Sequence, residues 1–347
     1  MSATDEVSVL KYEMDHEGDV SRLVYTFGGA EARAALAPGT VLDTSSLDCF
    51  AGKIHSVHDL ASEVCDPRCL NPQTGPFYVQ GAMPGDVLAV HFASIEPRHA
   101  LGFSSTVPLF GALTANGFTQ MLHAALPEMT WVYSIDKEAR TVRYEARDSD
   151  AVYSLPLDPM HGTVGVAPAL NEARSALTPG DWGGNMDTPE MRSGVTCFLR
   201  VNVEGALFSF GDGHARQGEG ETCGVAVETA MDTVMVIDVI KNVPPVPWPR
   251  IESDEEIITT GSTKPLEDAF RISHVQMVHW VVELTGLSVM DAYQFVSQAV
   301  RTPVANVVDT NYTVVAKIRK RDLPGINPFN GVHQRLSAIG KAYLATR

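Results

Sequence analysis

The apolar pattern of this chain changes period once, and that change constrains the fold more than any other feature. From about Leu10 to Ile240 apolar residues come in short runs: Val87 to Phe92, Trp131 to Ile135, Val142 to Ala146, Val195 to Val203, Ala206 to Phe210 and Val234 to Ile240. The runs are rich in β-branched or aromatic residues and bounded by Gly, Pro, Asp or Asn, which predicts strands joined by turns. Between Gly194 and Val203 one face carries Val195, Cys197, Leu199, Val201 and Val203, and the other Thr196, Phe198, Arg200 and Asn202. That alternation belongs to a strand lining a core. With 28 Gly and 21 Pro among 347 residues there are turn formers enough for an antiparallel β architecture.

After the proline-rich connection Val243 to Pro249 the spacing becomes helical. Leu266, Ala269, Phe270, Val275, Val278, Val281 and Val282 predict a helix over Pro265 to Leu284, with Gly286 as its C-terminal cap. Ser288 with Asp291 three residues on starts a second helix to about Val300, closed by Pro303. Tyr312 to Ile318 returns to strand, and Leu336 to Tyr343 can form a terminal helix. The expected organisation is a β-rich core over residues 1–250 holding the site, a helical αα unit and returning strand over 251–325 packed on it, and a tail over 326–347. The fold class is mostly β with α+β elements.

Charge excludes some functions. Lys and Arg number 26 against 42 Asp and Glu, a formal net charge of −16. Nucleic-acid binding needs clustered cations, so no nucleic-acid partner is expected. No apolar run reaches membrane-spanning length, and Met1 to Lys11 lacks the apolar stretch of a signal peptide, so neither membrane nor leader is expected. Five cysteines, an odd number in a chain this large, argue against a disulfide framework and for a reduced, cytoplasmic setting. Homo-oligomerisation, as a dimer or higher, is expected for an enzyme of this size.

Phosphate-loop, zincin, serine-hydrolase and EF-hand motifs are absent. Gly211-Asp212-Gly213 has no third glycine at the dinucleotide-loop position, which holds Arg216. The stretch Gly211 to Glu221 nevertheless gathers Asp212, His214, Gln217, Glu219 and Glu221 among four glycines. It reads as a flexible loop after the strand Ala206 to Phe210, its polar groups free to converge on zinc or a similar divalent ion. The competing reading is a solvated hairpin turn. Gly183-Gly184-Asn185-Met186-Asp187 is a second polar cluster or a plain Asx turn. Asp48 lies between apolar neighbours, where a carboxylate needs a cation or hydrogen bonds, or else caps a local turn. His161 has no assigned role. The run Asp254-Glu255-Glu256 reads as a solvated face.

These blocks together resemble the acetamidase/formamidase family. The resemblance rests on Gly165-Val166-Ala167-Pro168, Gly183 to Asp187, Gly205 to His214 and Gln217 to Glu221. In the N-terminal half it rests on Asp48-Cys49-Phe50, Asn71 to Pro76 and Gly81 to Asp86, so that it spans about Leu42 to Lys317. It implies a β-rich fold with a jelly-roll-like sandwich core, hydrolysis of a small neutral amide of the formamide or acetamide type to carboxylate and ammonia, and a divalent metal, zinc first and calcium as the alternative. It supports Asp187, Asp212, His214, Glu219 and Glu221 as the polar cluster, with Asp48 and Asn185 beside it.

Amide hydrolysis needs an activated water, a polarised carbonyl and a proton for the leaving nitrogen. Asp212 and His214, with Asp187 or Asp48, are the expected metal ligands, an arrangement that lowers a bound water's pKa to roughly 7. Glu221 is the first choice for proton carrier and Glu219 the second. Asn185 and Gln217 are expected to bind substrate. The alternative function is a non-catalytic β-sandwich binding protein with a structural calcium, against which the imidazole of His214 argues. A cysteine nucleophile at Cys49 or Cys223 is the third and weakest reading.

Overall fold

The computed structural model describes residues 7–14, 19–114 and 124–347, so the first six residues of the stretch read for a leader lie outside them. Two large sheets face each other. One has nine strands, in the order Val9–Tyr12, Thr40–Ser46, Met231–Ile240, Val87–Pro97, Thr196–Arg200, Arg250–Glu252, Glu256–Thr263, Tyr312–Arg319 and Val304–Asn306. The second has ten, running Val152–Pro156, Thr141–Glu145, Met129–Asp136, Leu101–Thr106, Val227–Glu228, Phe208–Arg216, Met160–Gly165 and Gly183–Asn185. Gln73–Val79 pairs with Phe208–Arg216 and carries Ala34–Leu36 on its other edge. Pairing is antiparallel except at Val9–Tyr12 with Thr40–Ser46 and at Ala34–Leu36 with Gln73–Val79.

Strand alternation sorts the apolar residues of the nine-stranded sheet into two cores. Leu42, Leu88, Val90, Phe92, Cys197, Leu199, Met235 and Ile237 face the second sheet, meeting Phe77, Val164, Phe208 and Phe210. Val41, Val87, Ala89, Phe198, Val234 and Val236 point the other way, against three helices. Full burial of such side chains contributes about 1.5–3 kcal/mol each. The molecule is therefore layered as sheet, sheet and helices, and the expected two-faced strand at 194–203 uses both faces.

The helices on this face are Leu266–Thr285, Val289–Ala299 and Val332–Leu344. Gly286 closes the first in the left-handed region at φ 72°, and the Ser288 side chain accepts from the Asp291 amide at the start of the second, as the spacing predicted. Strands on either side of residue 250 belong to one sheet, and the segment 332–344 packs as a helix on Val87–Pro97 and Met231–Ile240.

Two readings need correction. Gly211 to Arg216 is not a flexible loop: it continues the strand Phe208–Arg216, and its glycines serve close packing. A Cβ at Gly211 would stand 2.6 Å from the Pro72 carbonyl oxygen, and one at Gly213 would stand 2.4 Å from Met231 Cγ. The second concerns Glu256 alone: Asp254 and Glu255 are exposed as expected, but Glu256 opens a strand and pairs with Arg301 and Lys317.

Candidate active site

The site is built on the ten-stranded sheet by register. His214 pairs directly with Glu228 on the neighbouring strand, and Thr163 pairs with Asn185 on the other side. Positions 208 and 210 fill the sandwich core, and positions 212 and 214 of the same strand carry the polar groups. The turn after Asn185 adds Asp187, the turn after Arg216 adds Glu221, and the segments at 71 and 306–309 add Asn71, Asn306 and Asp309. All are buried.

Backbone geometry is unusual here in a consistent way. Asn71, Asp187, Asp212 and Glu221 all have positive φ, at 53°, 43°, 58° and 46°. Each such non-glycine residue costs of order 1–3 kcal/mol, and the surrounding structure holds all four. Gly162 completes the cradle. A Cβ there would lie 2.2 Å from Asp187 Oδ1, 2.5 Å from Asp212 Oδ2 and 2.9 Å from His214 Cε1, so the space between those side chains exists only because position 162 is glycine.

An amide network holds the carboxylates in place. Asn71 Nδ2 donates to Asn185 Oδ1 at 2.9 Å and to Asp212 Oδ2 at 3.0 Å. Asn185 Nδ2 donates to Asp187 Oδ2 at 2.9 Å and to Asp309 Oδ2 at 2.7 Å, and Asn306 Nδ2 donates to the same two oxygens at 2.7 and 2.6 Å. Thr163 Oγ1 shares its one proton between Asn185 Oδ1 and Asp212 Oδ2. Gln217 settles the tautomer of His214. Its Nε2 is committed to the carbonyls of Asp187 and Ala305, so its Oε1 faces His214 Nδ1 at 2.9 Å and must accept a hydrogen bond from the Nδ1–H. The free lone pair of the neutral ring is then on Nε2.

That Nε2 points into acids. It lies 3.2 Å from an oxygen of Asp212 and 3.2 Å from Glu228 Oε2, yet makes a well-directed hydrogen bond to neither. Asp187 Oδ1 and Glu228 Oε2 are likewise buried without a partner. Asp187, His214 and Glu221 offer ligand atoms that all lie within 4.8 Å of one another, and so do Cys49, Asp212 and Glu228. Three orphaned buried atoms, an imidazole lone pair and a cradle a methyl group would fill are what a small divalent cation with mixed nitrogen and oxygen ligands requires.

Electrostatics point the same way. Asp48, Asp187, Asp212, Glu221, Glu228 and Asp309 are all buried, with one imidazole among them. Burial raises Asp187 well above the usual carboxylate range, and Glu221, Asp309 and Asp212 raise it further. Burial likewise raises Glu221 well above its ordinary value, opposed by His214 and reinforced by Asp309, Glu228 and Asp212. Burial brings Glu228 to about 7 against the pull of His214, and Asp309 to about 6 against its hydrogen bonds. For Asp212 the burial penalty is outweighed by His214, and its carboxyl falls below the ordinary value. His214 itself would lose its proton through burial, but the charges of Glu228 and Asp212 reverse this and raise it well above its ordinary value. The cluster thus demands positive charge, supplied by protons or by a cation.

Of the residues singled out from sequence, Asp187, Asp212, His214 and Glu221 converge, with Asn185 in the network that orients them. Gln217 is beside them, bonded to His214. Asp48 stands to one side, where Oδ1 accepts from the amides of Phe50 at 2.9 Å and Gly52 at 3.0 Å, and it borders a neighbouring cavity with Ser45, Ser46 and His99. Glu219 is exposed and outside the cluster, raised to about 7 by partial burial beside Glu190. The Cys49 thiol is pushed well up by burial and by Glu228, which keeps it protonated. His161 is a neutral wedge: Nδ1 donates to the Gly211 carbonyl at 3.1 Å, Nε2 accepts from Thr233 Oγ1 at 2.8 Å, and burial lowers it to about 4.

Glu228, Asp309, Asn306, Asn71, Thr163 and Gly162 were not singled out from sequence as site residues. Glu228 carried a readable signal, an acid amid Val225-Ala226-Val227, the context that flagged Asp48. The others read as ordinary turn or strand residues until the fold brings them together.

Beside the cluster opens a cavity of about 450 Å³. Its floor is Asn71, Asn185, Asp212, Glu221, Glu228 and Asp309, and apolar side chains wall it.

Fold and cluster define a class: a β-sandwich protein with a buried imidazole–carboxylate centre built across adjacent strands. The Acetamidase/Formamidase family model matches residues 158–317, which hold Asp187, Asp212, His214, Glu221, Glu228 and Asp309. A solved acetamidase from Yersinia enterocolitica is 36% identical, with TM-score 0.84 over 91% of this chain and 93% of that one. An acetamidase structure from Bacillus halodurans is 27% identical, with TM-score 0.79 over 90% and 98%. The chain belongs to the acetamidase/formamidase family. Among curated relatives, the acetamidase of Mycolicibacterium smegmatis is 27% identical over 263 residues, 60% of this chain and 64% of the relative, so the match spans less than two thirds of that relative's length.

Proposed function

We propose that the protein hydrolyses small neutral linear amides, RCONH2 + H2O giving RCOO⁻ and NH4⁺, with a divalent cation, zinc first, held by His214, Asp187 and Asp212. One observation carries the reading. His214, its Nδ1 proton fixed on Gln217, turns an unpartnered Nε2 toward orphaned carboxylate oxygens at the floor of an apolar-walled cavity. A structural calcium would favour a shell of six to eight oxygens, and an imidazole lone pair at the focus of the site favours zinc. When bound, the cation supplies Lewis acidity toward a carbonyl and toward water.

The chain's own groups do the rest. Asn71, Asn185 and Asn306 hold the carboxylates rigidly, so little reorganisation accompanies charge development. The apolar wall excludes bulk water from the reacting carbonyl. Glu221 lines the cavity close to Asp187 and His214, and from that position its carboxylate would take a proton from the attacking water and return it to the departing nitrogen. Metal content and ammonia release from acetamide, measured on the same preparations, test these roles. His214→Ala loses cation and activity together. Glu221→Gln keeps the cation and loses at least a hundredfold in kcat. A fully active Glu221→Gln enzyme would remove Glu221 from the mechanism.

A further inference from the structure

The cavity above the cluster is larger than formamide or acetamide requires. At roughly 30 Å³ for each water-sized group, the four heavy atoms of acetamide need on the order of 120 Å³. The cavity has about 450 Å³, room for a chain several carbons longer. Its walls suit such a chain: Phe50, Leu70, Val107, Phe110, Leu177 and Val225 line it, and among the described residues no Lys, Arg or His does.

This wall is built into the site. Phe110 lies against Gly224, where a Cβ would stand 2.4 Å from the ring. Gly224, at φ 93°, is held by its amide donating to the Glu221 carbonyl at 2.7 Å. Ala112 N donates to the Thr222 carbonyl at 2.9 Å, and a Cβ at Gly111 would meet the Cys223 carbonyl oxygen at 2.9 Å. The segment carrying Val107 and Phe110 is thereby packed onto the turn that carries Glu221, which fixes the wall's distance from the reacting groups.

From this we infer that the preferred substrates are neutral primary amides with an apolar acyl group of about four to seven carbons, aliphatic or aryl, seated against Val107, Phe110 and Leu177. The inference rests on the amide-hydrolase reading and sharpens it. An acyl group bearing a terminal carboxylate is disfavoured, because the floor is anionic and, among the described residues, no lining side chain offers a counter-charge.

The test is kcat/KM for ammonia release from formamide, acetamide, butyramide, hexanamide, benzamide and succinamate on one zinc-loaded preparation, so that metal content cancels from the ratios. Each methylene buried against the wall adds about fourfold. Hexanamide is expected to exceed acetamide by at least tenfold, with succinamate below butyramide. Val107→Trp, which fills the wall, is expected to lower the hexanamide-to-acetamide ratio at least fivefold. Hydrolysis that declines steadily from acetamide to hexanamide would overturn the size inference while leaving amide hydrolysis standing. Ammonia from none of the amides would overturn the reading beneath it.

Discussion

Gln217 spends its Nε2 on two backbone carbonyls, and that commitment decides which nitrogen of His214 is free. A ligating imidazole is oriented in this way by the partner of its other nitrogen, and losing such a partner typically costs 10–100-fold in metal affinity. Gln217→Leu is therefore expected to weaken zinc binding by that factor, measured by competition with a chelating dye, with the fold retained. Unchanged affinity would show that the ring is held by packing alone. Sequence reading placed Gln217 among substrate-binding residues. A side-chain amide can bind substrate or orient a neighbour, and nothing in the order of residues separates the two.

The strand Phe208–Arg216 sets the spacing of the site. Gly213 lets it approach Thr229 and Met231, where an added Cβ would lie 2.6 Å from the Thr229 carbonyl oxygen and 2.4 Å from Met231 Cγ. Gly213→Ala is expected to destabilise the protein by about 1–3 kcal/mol in urea unfolding and to lower zinc stoichiometry by shifting His214 against Glu228. A stable, fully loaded variant would contradict the packing role. The helices were legible because each is written locally: Gly286 as a left-handed cap, Ser288 with Asp291 as a start. The longer strands Val87–Pro97, Met129–Asp136, Thr196–Arg200, Met231–Ile240 and Tyr312–Arg319 were legible as short runs of β-branched and aromatic residues, while two- and three-residue strands such as Thr26–Phe27 and Val227–Glu228 were not. The 211–216 segment was not, because glycine reads the same whether it permits a turn or a close strand approach, and the groups that decide it, Pro72 and Met231, are distant in sequence.

At the level of the whole molecule, a chain with formal net charge −16 concentrates buried acids at one point, and the stability of the metal-free protein should report it. Glu228, at about 7, and Asp309, at about 6, bind protons more tightly folded than in an unfolded chain. Their contribution is complete below about pH 4, the unfolded carboxylate range, and is lost as pH rises through 6 to 7. Chelated protein is therefore expected to lose thermal stability between pH 5 and 8, while zinc-loaded protein, whose cation replaces those protons, keeps it. Assembly of the cluster from segments at 71, 162–163, 185–187, 212–228 and 306–309 is also a property of the whole chain. That is why Asp187, Asp212, His214, Glu221 and Asn185 could be named from sequence, and Glu228, Asp309, Asn71, Asn306 and Gly162 could not. The most direct measurement is ammonia release from acetamide by chelated protein titrated with zinc at pH 8, with unfolding temperature followed on the same samples. Turnover and unfolding temperature rising together and saturating at the same zinc stoichiometry is the predicted result. Full turnover in the chelated protein, unchanged by zinc, would contradict the account.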